Sequence, residues 1–280
     1  MTPERLRELL EFALTLADAA QAEILPHYQR CAVDLKSDGS EVTLADRAAE
    51  QAIRAAIAAR YPGHAVLGEE FGGERDAVRQ WIIDPLDGTS AFALGLPLFG
   101  TLIAYAEQGE PLLGVIHFPV LGETVYAARG LGCHFRNRDG DTATVRVRPA
   151  APLSEAVVSA SGVHASDIQP DPDGRACALS DLIRRAKKFR VCGDCLQHAL
   201  VCRGSLHVAI DTIMQPWDIA ALVPCIEEAG GACATLDGRR DGVVFGGSLV
   251  AACDQALLDD VLDVLGGRVD DGLPQCLERA

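Results

Sequence analysis

The sequence has no apolar run long enough to cross a bilayer, which argues against a membrane-spanning protein. Its first thirty residues set Glu4, Glu8, Glu11 and Asp18 among leucines, so the apolar core of a signal peptide is missing and a cytoplasmic location is expected. Basic charge is scarce: 25 Lys and Arg against 40 Asp and Glu leave a net charge of −15. A chain this acidic is a poor partner for nucleic acid or an anionic membrane. A small anionic substrate is not excluded, because bound cations reverse the local field. The basic run Arg184-Arg185-Ala186-Lys187-Lys188-Phe189-Arg190 reads as a solvated helix end rather than a phosphate patch. No second Cys-x-x-Cys accompanies Cys192-Gly193-Asp194-Cys195, so a zinc or redox site has little support. The ten cysteines read as small buried hydrophobes in a reducing compartment. None of the seven histidines has metal-ligand spacing, and His198 reads as a helix-surface residue. No Ser–His–Asp or Cys–His arrangement stands out, which leaves no case for covalent catalysis.

What is present suits a globular protein of one large or two small domains: 280 residues, 49% hydrophobic and 23% charged. Thr2-Pro3 caps a helix whose Leu6, Leu9, Leu10, Ala13, Leu14 and Ala17 recur at helical spacing. A second helix opens at Thr43, with Asp46 in the capping-box position and Ala49, Ile53 and Ile57 on one face, and stops at Tyr61-Pro62-Gly63. From Phe99 the pattern becomes an antiparallel meander over 101–107, 112–117, 124–128 and 144–147. After Pro149 and Pro152, short strands alternate with helices: strands at 156–160, 188–191, 206–211, 232–236 and 247–251, helices at 176–186, 195–203, 218–228 and 254–265. A boundary near residue 150 follows, giving units over 1–149 and 150–280, with 267–280 a loose tail.

The most informative stretch is Trp81-Ile82-Ile83-Asp84-Pro85-Leu86-Asp87-Gly88-Thr89. Pro85 lacks an N–H and should end the strand, leaving Asp84 and Asp87 at its tip. Two such close carboxylates repel unless a cation or proton lies between them. Hard divalent cations take oxygen ligands, and a magnesium site commonly shares its ion with substrate phosphate. Gly88 lets the backbone approach an anion, and Thr89 brings a hydroxyl to a helix start. Taken alone, these residues also describe an ordinary turn. Glu69 and Glu70, after the apolar run 65–67, and Trp217-Asp218 add acids at element ends, where the sites of α/β proteins collect.

In this order Gly68-Glu69-Glu70, Asp84-Pro85-Leu86-Asp87-Gly88-Thr89 and Trp217-Asp218 resemble the inositol monophosphatase superfamily, as do Leu35-Lys36-Ser37 and Val42-Thr43-Leu44-Ala45-Asp46 upstream. The resemblance runs from about Thr2 to Leu265. The segments 95–104, 113–123, 193–195 and 215–224 look like its histidinol-phosphate phosphatase branch. Two departures are Ser90, where that branch commonly has Lys, and Ser159–His164, where it has a Thr-Thr-Ser-Pro-like stretch.

The resemblance implies a layered α-β-α-β-α sandwich of mixed α+β and α/β character, with the site between its halves. It implies a magnesium-dependent phosphomonoesterase with two or three ions, lithium sensitivity and a homodimer. Glu69, Asp84, Asp87, Asp218 and the Leu86 carbonyl would hold the ions. Thr89, Asp46 and Glu70 would orient the attacking water, and the N–H groups of Gly88, Thr89 and Ser90 would hold phosphate oxygens. Asp218 would also approach the substrate. Lys36 would tie the metal loop to carboxylates or else lie exposed. Gly193, Asp194 and Cys195 would meet the substrate, with Asp194 selecting the cationic L-histidinol phosphate; it would otherwise cap the helix at Cys195. Asp46 reads equally as a helix cap. Inositol monophosphate and other sugar or nucleoside phosphates remain alternatives, as does a catalytically inactive metal-binding relative.

Overall fold

The protein is described by a computed structural model over residues 1–30, 33–35, 41–172, 174 and 176–266. In chain order the elements begin with α1 (Pro3–Ile24), β1 (Val33–Leu35), β2 (Glu41–Thr43), α2 (Leu44–Arg60), β3 (Ala65–Gly68), β4 (Arg79–Asp87) and α3 (Thr89–Ala93). The strands β5 (Gly100–Glu107), β6 (Glu110–Phe118), β7 (Glu123–Ala128), β8 (Gly132–Arg136) and β9 (Thr142–Thr144) follow. The rest comprises β10 (Val157–Ala160), α4 (Leu179–Arg185), β11 (Lys188–Arg190), α5 (Asp194–Cys202), β12 (Val208–Asp211), α6 (Pro216–Ile219), α7 (Leu222–Glu228), β13 (Ala232–Ala234), β14 (Leu249–Ala252) and α8 (Gln255–Leu265).

Two-residue alternation along the central strands builds the layers, since successive side chains point to opposite faces. Trp81, Ile83, Ile103, Tyr105, Leu113 and Val115 pack on the apolar stripes of α1 and α2. Their neighbours Ile82, Leu102, Ala104, Ile116 and Phe118 pack on α5, α6 and α7 through Ala199, Ile219 and Ile226. The seven-stranded sheet runs in the order β3 to β9, antiparallel except for β3 on β4. A second sheet, ordered β11-β10-β12-β14-β13, turns Leu249 and Ala251 toward the same inner helices. Its other face packs Val158, Ile210 and Val250 against Leu182 of α4 and Leu258 and Val261 of α8. The result is the expected α-β-α-β-α sandwich. The layers sit close: a Cβ on Gly114 of β6 would lie 2.0 Å from the Ala221 carbonyl oxygen between α6 and α7.

The helix starts at Thr2 and Thr43 are as the sequence predicts, including the capping box in which Asp46 accepts the Thr43 N–H at 2.8 Å. Three expectations need correction. β4 does not stop at Pro85 but continues to Asp87, with a register shift between Asp84 and Asp87. The irregularity absorbs the missing proline N–H, while the Thr101 hydroxyl donates to the Pro85 carbonyl at 2.8 Å. The helix expected over 218–228 is two, α6 and α7, because Pro224 cannot bond to residue 220 and crowds its carbonyl. The last meander strand is β9 at 142–144 rather than 144–147, and it pairs with β8, which the glycine-rich sequence around Gly130 and Gly132 concealed.

Candidate active site

The seven-stranded sheet and the short helix α6 bring the acids together. Carboxylate oxygens of Asp84, Asp87 and Asp218 all lie within 4.8 Å of one another. Asp84 is 2% exposed, and one of its oxygens accepts the Leu86 N–H at 2.9 Å. Burial raises its pKa well above the usual carboxylate range, and the charges of Glu69, Asp87 and Asp218 push the same way. Asp87 is likewise raised, by burial and by the charges of Asp194 and Asp218. Asp218 is pushed up to about 7, chiefly by burial, although the Gln215 N–H favours its ionised form. Glu69 faces Asp84 closely enough to share a side-chain hydrogen bond. Such mutual frustration is what a cation would relieve. The donors are all oxygen, and they sit too close together to carry full charge unaided, which fits a hard divalent ion such as magnesium.

Asp46 and Asp218 share one local device. Each stands third in its helix and binds the backbone N–H three residues earlier, at 2.8 Å for Thr43 and 2.7 Å for Gln215. Asp46 uses Oδ2 for this cap, which leaves Oδ1 to accept the Thr89 hydroxyl at 3.3 Å. Asp46 thus caps α2 and also lies within hydrogen-bond reach of Thr89. Thr89 also lies 3.2 Å from the Leu86 carbonyl oxygen. Gly88 precedes α3 at φ +88°, a conformation glycine adopts without strain. Among the described residues no side chain caps α3, and the Ser90 hydroxyl turns away to donate to Glu41 at 2.5 Å.

The strand β10 and helix α5 form the opposite wall. Gly193 is the N-cap of α5, and Asp194 follows it with a strained φ of +47°. Asp194 is the first residue of α5 rather than its N-cap, and its carboxylate makes no cap among the described residues, which corrects the capping reading. Its carboxylate abuts Gly88, where a Cβ would lie 2.9 Å away, and burial together with Asp211 pushes its pKa up to about 6. Cys195 departs from a substrate-contacting side chain: its thiol is buried against Gly100, and its N–H donates to Asp87 at 2.7 Å. Burial and the Asp87 charge hold that thiol well above its ordinary pKa, the reverse of a redox-active cysteine. Cys192 and Cys195 are both free.

His198 is fully buried rather than on the helix surface, and it meets Asp211 at 2.6 Å through Nε2. Sequence reading missed Asp211, Gln197 and Ser161, which support the Asp194 turn. The Ser161 hydroxyl accepts the Asp194 N–H at 3.1 Å and a Gln197 amide N–H at 2.8 Å. Asp211 closes β12, the same strand-end signal that singled out Glu69, and could have been found that way. Glu50 was missed as well: it is a fully buried acid in the apolar stripe of α2, bonded to the Glu70 N–H at 2.7 Å. The signal was an acid one turn after Asp46 on a face otherwise made of Ala49, Ile53 and Ile57. Lys36 lies outside the described residues.

The sequence profile of the inositol monophosphatase family matches residues 5–264. A histidinol-phosphatase of Chlorobaculum parvum is 40% identical over 256 residues, covering 90% of this chain and 93% of that protein. A histidinol-phosphatase of Mycobacterium tuberculosis is 39% identical over 259 residues, covering 90% of this chain and 96% of that protein. Among solved structures, an inositol monophosphatase from Zymomonas mobilis superposes with a TM-score of 0.79 at 31% identity, over 93% of this chain and 98% of that one. The acid cluster, the layered sandwich and these likenesses converge: the chain belongs to the inositol monophosphatase family and is a phosphoric monoester hydrolase.

Proposed function

We propose that the protein is a magnesium-dependent phosphomonoesterase acting on L-histidinol phosphate, releasing histidinol and inorganic phosphate. The carrying observation is the convergence of Asp84, Asp87 and Asp218 within 4.8 Å, with Glu69 facing Asp84. Those acids and the Leu86 carbonyl would hold two or three magnesium ions, with lithium as an inhibitor. Bound magnesium supplies Lewis acidity toward the phosphate and makes water a better nucleophile. The remaining work falls to the chain. Thr89, its hydroxyl proton directed at Asp46, keeps oxygen lone pairs free to accept a hydrogen bond from the attacking water. Asp46 is the base behind it, and Glu70 helps to align the water. The N–H groups of Gly88, Thr89 and Ser90 hold phosphate oxygens at the start of α3, so the reaction rests on positioning and charge stabilisation.

Asp194 supports the substrate reading. Its carboxylate accepts no hydrogen bond among the described residues and lies beside Gly88, next to the phosphate cradle. Gly193 shapes its turn, Cys195 holds Asp87, and Asp218 closes the substrate edge. A carboxylate there suits the amine and imidazole of histidinol better than an uncharged polyol. We further propose a boundary near residue 150 between units 1–149 and 150–280, and a homodimer, which light scattering would measure directly.

The test is phosphate release from histidinol phosphate, myo-inositol 1-phosphate and adenosine 3′,5′-bisphosphate, with magnesium and then with EDTA. An EDTA-sensitive preference for histidinol phosphate is the expected result. Slow, even turnover of all three would overturn the substrate while keeping the metal reading. Turnover that survives EDTA would overturn the metal reading.

A further inference from the structure

We propose that Glu50 is a positioning residue, the template on which the loop presenting Glu69 and Glu70 is folded; this rests on the magnesium reading above. Glu50 is an ionisable side chain with no exposed surface, one turn beyond Asp46 on the inner face of α2. A buried carboxylate is costly unless its oxygens are filled. Here they are filled by the loop. Oε2 accepts the Glu70 N–H at 2.7 Å, and Oε1 accepts the Phe71 N–H at 3.3 Å and the Arg54 Nε–H at 2.7 Å.

The fit is steric as well as polar. A Cβ on Gly68 would lie 2.2 Å from Glu50 Oε1, so only glycine lets the chain pass the carboxylate at that distance. Arg54 completes the clamp by donating to the Gly72 carbonyl and, at 3.5 Å, to that of Val66. The Gly68 N–H also donates to Gly72 at 3.0 Å, closing the loop on itself. Glu69 is thus fixed on both flanks: by the close approach at Gly68 and by the amide bond at Glu70. Its direction toward Asp84 follows from where Glu50 holds the backbone. Outer groups of this kind orient metal ligands without touching the metal.

Glu50→Gln retains the shape but replaces one acceptor oxygen with an NH2 group that cannot accept the loop amide. Two readouts are needed: hydrogen exchange over residues 68–72 in metal-free protein, and the magnesium concentration giving half-maximal thermal stabilisation. Exchange at Glu70 and Phe71 should speed up by about tenfold or more, and the magnesium midpoint should rise by about 10- to 100-fold, the usual cost of an outer-shell partner. Arg54→Met, at a partly exposed site, should shift both in the same direction by less, and it carries the test if Glu50→Gln does not fold. Ile53→Val, in the core of the same helix, should move neither. Unchanged exchange, faster exchange with an unchanged magnesium midpoint, or an equal shift in Ile53→Val would each overturn the proposal. A wild-type protein that magnesium does not stabilise would overturn the metal reading instead, with the exchange experiment still judging the loop anchor.

Discussion

The Cys195 N–H donates to Asp87 Oδ2 at 2.7 Å, joining residues 108 positions apart. One end of that bond belongs to the strand carrying Asp84 and Asp87, the other to the helix start that carries Asp194. The proposed metal site and substrate wall are therefore mechanically coupled. A change in either should be felt by the other.

Asp87→Asn keeps an oxygen for the Cys195 N–H while removing a charge from the cluster. Activity should fall by at least about 100-fold, since even residues behind metal ligands cost 10–100-fold. Metal-free protein should melt at the same temperature or higher, because burial and the charges of Asp194 and Asp218 all work against an ionised Asp87, a cost that Asn does not carry. Paired activity and calorimetry measurements check this; a large loss of metal-free stability would show that the charge is not the source of strain.

Thr89 and Asp46 should separate by chemistry. Thr89→Val removes the hydroxyl near Asp46 and should lower kcat by about 100-fold or more at near-constant melting temperature. Thr89→Ser should keep most activity. Asp46→Ala should lose activity and, through its cap on Thr43, about 0.5–2 kcal/mol of stability. A Thr89→Val enzyme as active as Thr89→Ser would remove the hydroxyl from the mechanism.

Asp194→Asn tests substrate choice. Its kcat/KM for histidinol phosphate should drop by about 10- to 100-fold, with inositol 1-phosphate changed much less. Equal losses on both would leave Asp194 shaping the turn without selecting the substrate.

His117 supplies a pH dependence away from the site. It is buried, within 2.9 Å of the Thr124 hydroxyl and 3.0 Å of Gln21 Oε1, and burial lowers its pKa to about 4. Unfolded histidine titrates near 6.5, so between these values the unfolded chain binds more protons. This contribution to stability is fully present above about pH 6.5 and is lost as pH falls toward 4, by about 3 kcal/mol. The raised carboxylates Asp194 and Asp218 act oppositely, so the comparison is the stability difference between wild type and His117→Gln. That difference should shrink on acidification; a pH-independent difference would exclude His117 as the cause.

The local devices were legible in the residues. Thr2 and Thr43 announce their helices, alternation over 101–107 and 112–117 announces strands, Asp84 and Asp87 stand at the end of an apolar run, and Asp218 stands where a helical pattern opens. Each is a short-range rule: a cap satisfies a nearby N–H, and a two-residue period matches the pleat. Tertiary structure decided what depends on partners far along the chain. The sequence does not show that Asp87 receives the Cys195 N–H, that His198 turns inward to Asp211, or that β4 runs through Pro85. Glu50 is the clearest case. Its sequence neighbours make it an acid on an apolar helix face, and only the folded loop at residues 68–72 supplies the N–H groups that make burying its charge tolerable.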